Sequence, residues 1–168
     1  PEERNTTAAL VRGVAAGFMR RGYSIRGFDT YVVSDVLPGS GLSSSAAFEV
    51  LLGTVINVMS GCALSPAEVA RIGQYAENEY FGKPSGLMDQ TASAVGGIVA
   101  IDFADPAAPV ITPVEFDFAE CGYALCIIDS GADHAELTEE YAAITNELKA
   151  VCRVFGKEHL REVDEHEF

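Results

Sequence analysis

Residues 38–47 read Pro-Gly-Ser-Gly-Leu-Ser-Ser-Ser-Ala-Ala, a glycine-rich turn and three serines that run directly into an apolar-periodic stretch. This composition suits anion binding. Gly39 and Gly41 allow backbone angles closed to other residues, so successive amides can converge on a phosphate. The helix expected behind them adds free N–H groups and the positive end of its dipole. A nucleotide-phosphate loop over Pro38, Gly39, Ser40, Gly41, Leu42, Ser43, Ser44 and Ser45 is therefore expected. One serine is routine as a helix cap, but three behind two glycines exceed what capping needs. The Ser45 hydroxyl could reach a Mg²⁺ ion held between phosphates, or could simply cap the helix. The loop lacks the lysine of the GxxxxGK[ST] pattern, since no lysine precedes Lys83, so neutralisation must come from a metal, the helix dipole or groups outside the chain. Ser44 stands where the third glycine of GxGxxG would be, which weakens a dinucleotide reading.

Two acids downstream have the right types to join such a loop. Glu77 and Glu79 lie two positions apart in a helical stretch, so they face different sides and cannot serve one site equally. Each could also be part of a solvated helix face. Asp89 is expected in a first helical turn, where the dipole alone favours an acid. Its neighbours Gly86, Leu87, Met88, Thr91, Ala92 and Ala94 are uncharged, which sets it apart from an ordinary surface carboxylate. His134 follows a turn-like stretch, and nothing there demands more than a solvent-facing or capping histidine.

With these residues in view, the chain resembles the GHMP small-molecule kinases. Pro38 to Val50 is similar to their second signature, and the Gly-Leu-Ser-Ser-Ser-Ala run with its following Glu and Val resembles the galactokinase branch. Gly86-Leu87-Met88-Asp89-Gln90 is similar to the catalytic GIMDQ segment of that branch, and Ala76-Glu77-Asn78 to its metal-site helix. The spacings, 44 positions from Ser45 to Asp89 and 12 from Glu77 to Asp89, fit without an evident gap. The resemblance covers most of residues 1–130 and is strongest from Leu37 to Phe103.

The resemblance implies an α+β fold: a partial GHMP kinase N-terminal domain (ribosomal protein S5 domain 2-like) over 1–130, then the beginning of a C-terminal domain over 131–168. It implies ATP and Mg²⁺ as cofactors, Ser45 and Glu77 as metal ligands, and Asp89 as the catalytic proton acceptor. Gly86, Asp89 and Tyr141 would contact a monosaccharide, galactose at its anomeric hydroxyl. The pattern departs after the tyrosine, where Ala142 and Ala143 replace the family's Asn and paired arginines. Tyr141 also falls within an apolar stripe, so core packing is an alternative for it. The family's upstream arginine and sugar contacts, and its downstream glycine-rich motif, have no counterpart here. A middle section of a longer protein, lacking turnover by itself, is therefore expected. The alternatives are another GHMP kinase, acting on arabinose, galacturonate or a non-sugar alcohol, and a non-catalytic sugar-sensing regulator. The complete Ser43-Ser44-Ser45-Ala46 run favours catalysis.

The elements that must hold these residues follow from periodicity and end signals. Asn5 or Thr6 caps a helix carrying Leu10, Val11, Val14, Phe18 and Met19 and ending near Gly22. Phe28 to Val36 reads as a strand feeding the loop. Phe48, Leu51, Leu52, Val55, Ile56 and Met59 mark one buried face of the next helix, with Gly61 as its C-terminal cap. Ser65-Pro66-Ala67-Glu68 is a capping-box signature for a helix running to about Tyr80 and stopped by Gly82. Ser85 is expected to cap the short helix bearing Asp89. Ile98 to Phe103, Val110 to Phe116 and Tyr123 to Ile128 read as strands. A last amphipathic helix carries Leu137, Tyr141, Ile144, Leu148, Val151 and Phe155.

Composition excludes several other classes. A chain of 168 residues, 48% hydrophobic, can bury a substantial core without staples. Its formal charge of −14 argues against nucleic-acid binding, which needs clustered cations. Cys62, Cys121, Cys126 and Cys152 form no CxxC pair, and only three histidines occur, all at or beyond His134, so a zinc site is not expected. No apolar run is long enough to span a membrane. A cytoplasmic protein without nucleic-acid or membrane partners is the expectation.

Overall fold

The computed structural model describes residues 3–36, 41–128 and 138–168, with side chains from 143 onward in the last stretch. Among these residues five α-helices and one two-stranded sheet make an α+β arrangement. Two compact units are distinguished, Pro1–Gly131 and Ala132–Phe168.

In the first unit, helix α1 spans Thr7–Arg20, and the Thr6 hydroxyl accepts from the Ala9 amide at its start. Helix α2 spans Ser44–Ser60 and ends at Gly61, whose left-handed φ of 63° closes it as expected. Helix α3 covers Pro66–Tyr75 and opens with the full reciprocal capping box between Ser65 and Glu68. It does not continue as α-helix to Tyr80. At Ala76–Phe81 the chain widens into a π-helix that Gly82 terminates at φ 94°. Helix α4, Met88–Val95, follows after a short loop.

These helices share one apolar core of Val14, Phe18, Leu52, Ile56, Ile72 and Ala76. Close approach needs glycine at two places on α1. A Cβ on Gly13 would lie 2.7 Å from the Ala76 Cα, and one on Gly17 would lie 2.8 Å from the Ile72 Cγ2. Helix α1 thus comes close to the backbone of the π-helix at Gly13 and to the Ile72 side chain of α3 at Gly17.

The buried face of α2 differs from the expected one. Leu52 and Ile56 are buried, but Leu51 and Met59 are 40% and 53% exposed, while Ala46, Glu49, Val50 and Gly53 are buried instead. The reason is steric: the small residues on that side admit α3, and a Cβ on Gly53 would meet Val69 at 2.8 Å. The face chosen by packing therefore includes an acid, Glu49.

Strands β1 (Ile98–Asp102) and β2 (Val110–Val114) pair antiparallel, with Ala100 opposite Thr112. The strands expected over 28–36 and 123–128 do not form a ladder with any described residue. Both segments have strand-forming side chains, but a strand exists only through a hydrogen-bonded neighbour. Tyr23, Ile25 and Phe28 instead pack against the helical core, whereas Tyr31, Val33, Leu125 and Ile128 are exposed.

In the second unit, helix α5 spans Thr138–Val154, and a short 3₁₀ turn covers Leu160–Glu162. Tyr141 lies in α5, with its side chain outside the described residues, as are Leu137 and His134. Cys152 is buried, and Phe155 stacks on Phe168, but Ile144 and Leu148 of the expected stripe are exposed.

Candidate functional site

The serine run sits where the chain turns into α2. Gly41 takes a left-handed φ of 74°, and Ser43, the residue before the helix, takes φ 57° and ψ 45°. A left-handed conformation at a non-glycine residue carries strain and is characteristic of sites where side-chain aim matters. Ser43 makes no side-chain capping bond to α2. Its hydroxyl donates instead to Asp89 Oδ2 at 2.8 Å. Ser45, two residues on, donates to Glu77 Oε1 at 2.9 Å. The capping alternative for both serines is thereby set aside: each hydroxyl is spent on a carboxylate far away in sequence. Pro38, Gly39 and Ser40 of the expected loop lie outside the described residues; Leu42 is exposed, and Ser44 occupies the first turn of α2.

Glu77 owes its position to the π-helix. It is 2% exposed, whereas Glu79 is exposed, so the two acids do face different ways. A π-turn holds one more residue than an α-turn, and such bulges commonly re-aim side chains at working sites. The amides of Gly82 and Lys83 both close onto the Glu77 carbonyl, at 2.9 and 3.1 Å. The Lys83 ammonium then returns to the Glu77 side chain, 3.6 Å from Oε1. A lysine outside the loop thus reaches the same carboxylate as the loop's third serine.

The next residue, Asn78, ties down the loop leading to Asp89. Its Oδ1 accepts from the Ser85 amide at 2.7 Å and from the Ser85 hydroxyl at 3.2 Å, and Gln74 Nε2 donates to the Ser85 carbonyl. Ser85 is therefore not the cap of α4; Leu87 occupies that position, and the hydroxyl expected to cap is held by Asn78. Gly86 lies in the same loop, and a Cβ added to it would meet nothing within 4 Å. Asp89 falls in the first turn of α4, half-buried, as expected.

Behind Glu77 lies a layer whose members stand in the quoted motifs but whose role the sequence did not reveal. Gln90, 1% exposed, donates through Nε2 to Glu77 Oε2 at 2.8 Å and to Glu49 Oε2 at 3.2 Å. The amide orientation follows from Glu77, since turning the Gln90 carbonyl toward its Oε2 would set one acceptor against another. Glu49 is fully buried. Burial, and then the nearby Glu77 charge, push its carboxyl up to about 8, against the opposing effects of the Gln90 hydrogen bond and Lys83. At neutral pH it is therefore largely uncharged. Glu49 Oε1 and Gln90 Oε1 have no hydrogen-bond partner. The sequence signals for Glu49 were its inclusion in the Pro38–Val50 motif and its place four residues after Ser45, on the same side of a helix as Gly53 and Ile56.

A hard cation fits this arrangement. Ser45 Oγ and Glu77 Oε1 converge at 2.9 Å, and the chain already directs a positive group, Lys83, to that oxygen. Both are oxygen donors of the kind Mg²⁺ takes together with phosphate and water. Among the described residues no cluster of three or more His, Cys, Asp or Glu could hold a metal alone. Tyr141 is not brought into this geometry, because its side chain is not among those described.

Residues 9–97 match the family described as GHMP kinases N terminal domain. Over 162 residues the chain is 37% identical to a galactokinase of Actinobacillus pleuropneumoniae serotype 5b (strain L20), covering 96% of the chain and 41% of that protein. It is 36% identical over 169 residues to a galactokinase of Glaesserella parasuis, covering 100% and 43%, and 33% identical over 166 residues to one of Streptomyces coelicolor, covering 97% and 42%. The chain thus spans about two-fifths of the length of these curated relatives.

Proposed function

Because the chain belongs to the GHMP kinase family, we propose that it is part of an ATP- and Mg²⁺-dependent sugar kinase whose substrate is galactose, phosphorylated to galactose 1-phosphate. Residues 1–130 would be part of the N-terminal domain and 131–168 the start of the C-terminal domain. The observation that carries this reading is that two serines of one loop abandon helix capping to reach Asp89 and Glu77. The same short stretch that would cradle phosphate thereby fixes both acids that phosphoryl transfer needs.

In this reading Asp89 accepts the proton of the attacking sugar hydroxyl, with Ser43 holding Oδ2 and leaving the other oxygen free of that bond. Glu77 and Ser45 hold Mg²⁺, which when bound neutralises charge on the nucleotide phosphates. The loop amides near Gly41 and the start of α2 orient the phosphates. Gly86 keeps the backbone beside Asp89 open for close approach of the sugar, and Tyr141 would contact the sugar only as the family resemblance implies. Catalysis is mainly positioning and charge stabilisation, as phosphoryl transfer requires. The 168 residues alone are proposed to lack turnover. A cytoplasmic location is part of the same reading, supported by four free cysteines.

The test is ADP release by the complete protein against galactose, arabinose, galacturonate and other GHMP substrates, with Asp89→Asn as control. Turnover strongest with galactose is expected. The broader panel is warranted because Ala142 and Ala143 depart from the galactokinase pattern. Binding without turnover on any member would replace the kinase with a sugar-sensing regulator.

A further inference from the structure

We propose that Glu49 and Gln90 form a buried brace that fixes the orientation of the Glu77 carboxylate, making Glu49 a positioning residue for metal binding although it touches neither metal nor substrate. The inference rests on Glu77 being a metal ligand.

The two oxygens of Glu77 are treated differently. Oε1 faces Ser45 and Lys83, the polar side of the site. Oε2 faces inward, where Gln90 Nε2 holds it at 2.8 Å. A carboxylate held by one oxygen alone can rotate about its terminal bond, which has broad torsional preferences. Holding Oε2 fixes the plane and so fixes where Oε1 points. Gln90 in turn needs an anchor, because an amide with one partner can swing. Its second hydrogen goes to Glu49 Oε2 at 3.2 Å, and Glu49 is carried by α2, the helix that also carries Ser45. The brace therefore links both prospective metal ligands through one rigid element.

Packing alone does not account for the residue types. A buried carboxyl among Ala46, Val50 and Gly53 is costly where a leucine or methionine would fill the space. Burial with an acceptor left unpartnered adds to that cost. Gly73 makes room for the pair, since a Cβ there would lie 3.2 Å from both the Glu49 Cβ and the Gln90 Cγ. A polar bridge kept under these conditions is what a metal ligand's supporting layer looks like.

The experiment measures Mn²⁺ binding to the complete protein by electron paramagnetic resonance, with a non-hydrolysable ATP analogue present. Glu49→Met and Gln90→Met, which keep side-chain length but remove the bridge, are each expected to weaken Mn²⁺ binding about tenfold. Glu49→Gln, which retains an acceptor for Gln90, should restore parental affinity. The double Met variant should bind no more weakly than the weaker single, because both break one link. Circular dichroism and thermal melting accompany each variant, and Gln90→Met decides the matter if Glu49→Met does not fold. Parental Mn²⁺ affinity in a folded Gln90→Met protein overturns the brace. Glu77→Gln separates the two levels: if it weakens binding while the Met variants do not, the brace alone fails. If Glu77→Gln also leaves binding unchanged, the metal assignment has failed and the brace falls with it.

Discussion

Asp89 and Glu77 receive hydroxyls from serines two residues apart, yet their surroundings have little in common. Asp89 is half-buried on a first helical turn, with the Ser43 hydroxyl on Oδ2. Glu77 is almost sealed from solvent, with Ser45 and Lys83 at one oxygen and Gln90 at the other. A group that must take up and give back a proton needs an accessible oxygen and loose partners. A group that must present charge at a fixed point needs the reverse. On the proposed reading of the two acids, these neighbourhoods would separate proton transfer from charge placement within a single serine run.

The sharpest way to break that contrast is Asp89→Asn. Turnover in the complete protein should fall at least about 10³-fold, while nucleotide affinity, followed by fluorescence titration, stays near parental. Retention of near-normal turnover would end the proton-acceptor assignment. Glu77→Gln should act on the other side of the division. The Mg²⁺ concentration for half-maximal rate should rise roughly 10- to 100-fold, with the rate recovering at high Mg²⁺. A rate that stays low at all Mg²⁺ concentrations would erase the distinction between the two acids.

The serines offer a finer test. Ser45→Ala is expected to raise the Mg²⁺ requirement about tenfold and Ser43→Ala to lower kcat by a similar factor, each losing a hydrogen bond to a charged group. Exchanged effects would mean that the serines are paired with the wrong functions.

The smallest effect concerns the metal-free protein. Glu49 keeps a proton in the folded state up to about pH 8, while the unfolded chain releases it near the ordinary glutamate value of 4.5. The folded state thus binds more protons across that window, so Glu49 makes stability fall as pH rises from 4.5 toward 8. The slope from this group is at most about 1.4 kcal/mol per pH unit. Glu49→Gln should flatten the profile and gain most at the alkaline end, as read by urea denaturation at pH 5 and pH 8 in a chelator. Parallel profiles for parent and variant would show that Glu49 is not protonated in the fold.

Much of the site could be read from local chemistry. The serine run, the opposite aims of Glu77 and Glu79, the first-turn place of Asp89, the Ser65 capping box and the Gly61 cap all depend on residues close in sequence. What escaped depends on distant partners. Glu49 is buried because Gly53 and Gly73 let helices close around it and Gln90 meets it, none of which an apolar count along α2 can register. Lys83 counts as a charge near the site only once the π-helix folds it back onto Glu77. Ser85 had a capping residue's chemistry, but Asn78 claimed it. The segments 28–36 and 123–128 have strand composition, and composition cannot supply a partner strand.

The π-helix at Ala76–Phe81 has a consequence for which changes this region can absorb. Its inner side carries Glu77, and its outer side is pressed on α1, where Gly13 leaves 2.7 Å to the Ala76 Cα and 3.0 Å to the Tyr80 Cβ for any added methyl. Each residue in an α-helix turns the chain by 100°, so deleting one residue from 78–81 would return the bulge to α-helical phase and rotate everything after it. Tyr80 would leave the Gly13 notch, and Lys83 and the Ser85 anchor would point elsewhere. A one-residue gain or loss in this stretch would therefore put Glu77 and Asp89 out of phase with each other, a larger disturbance than replacing an exposed side chain there.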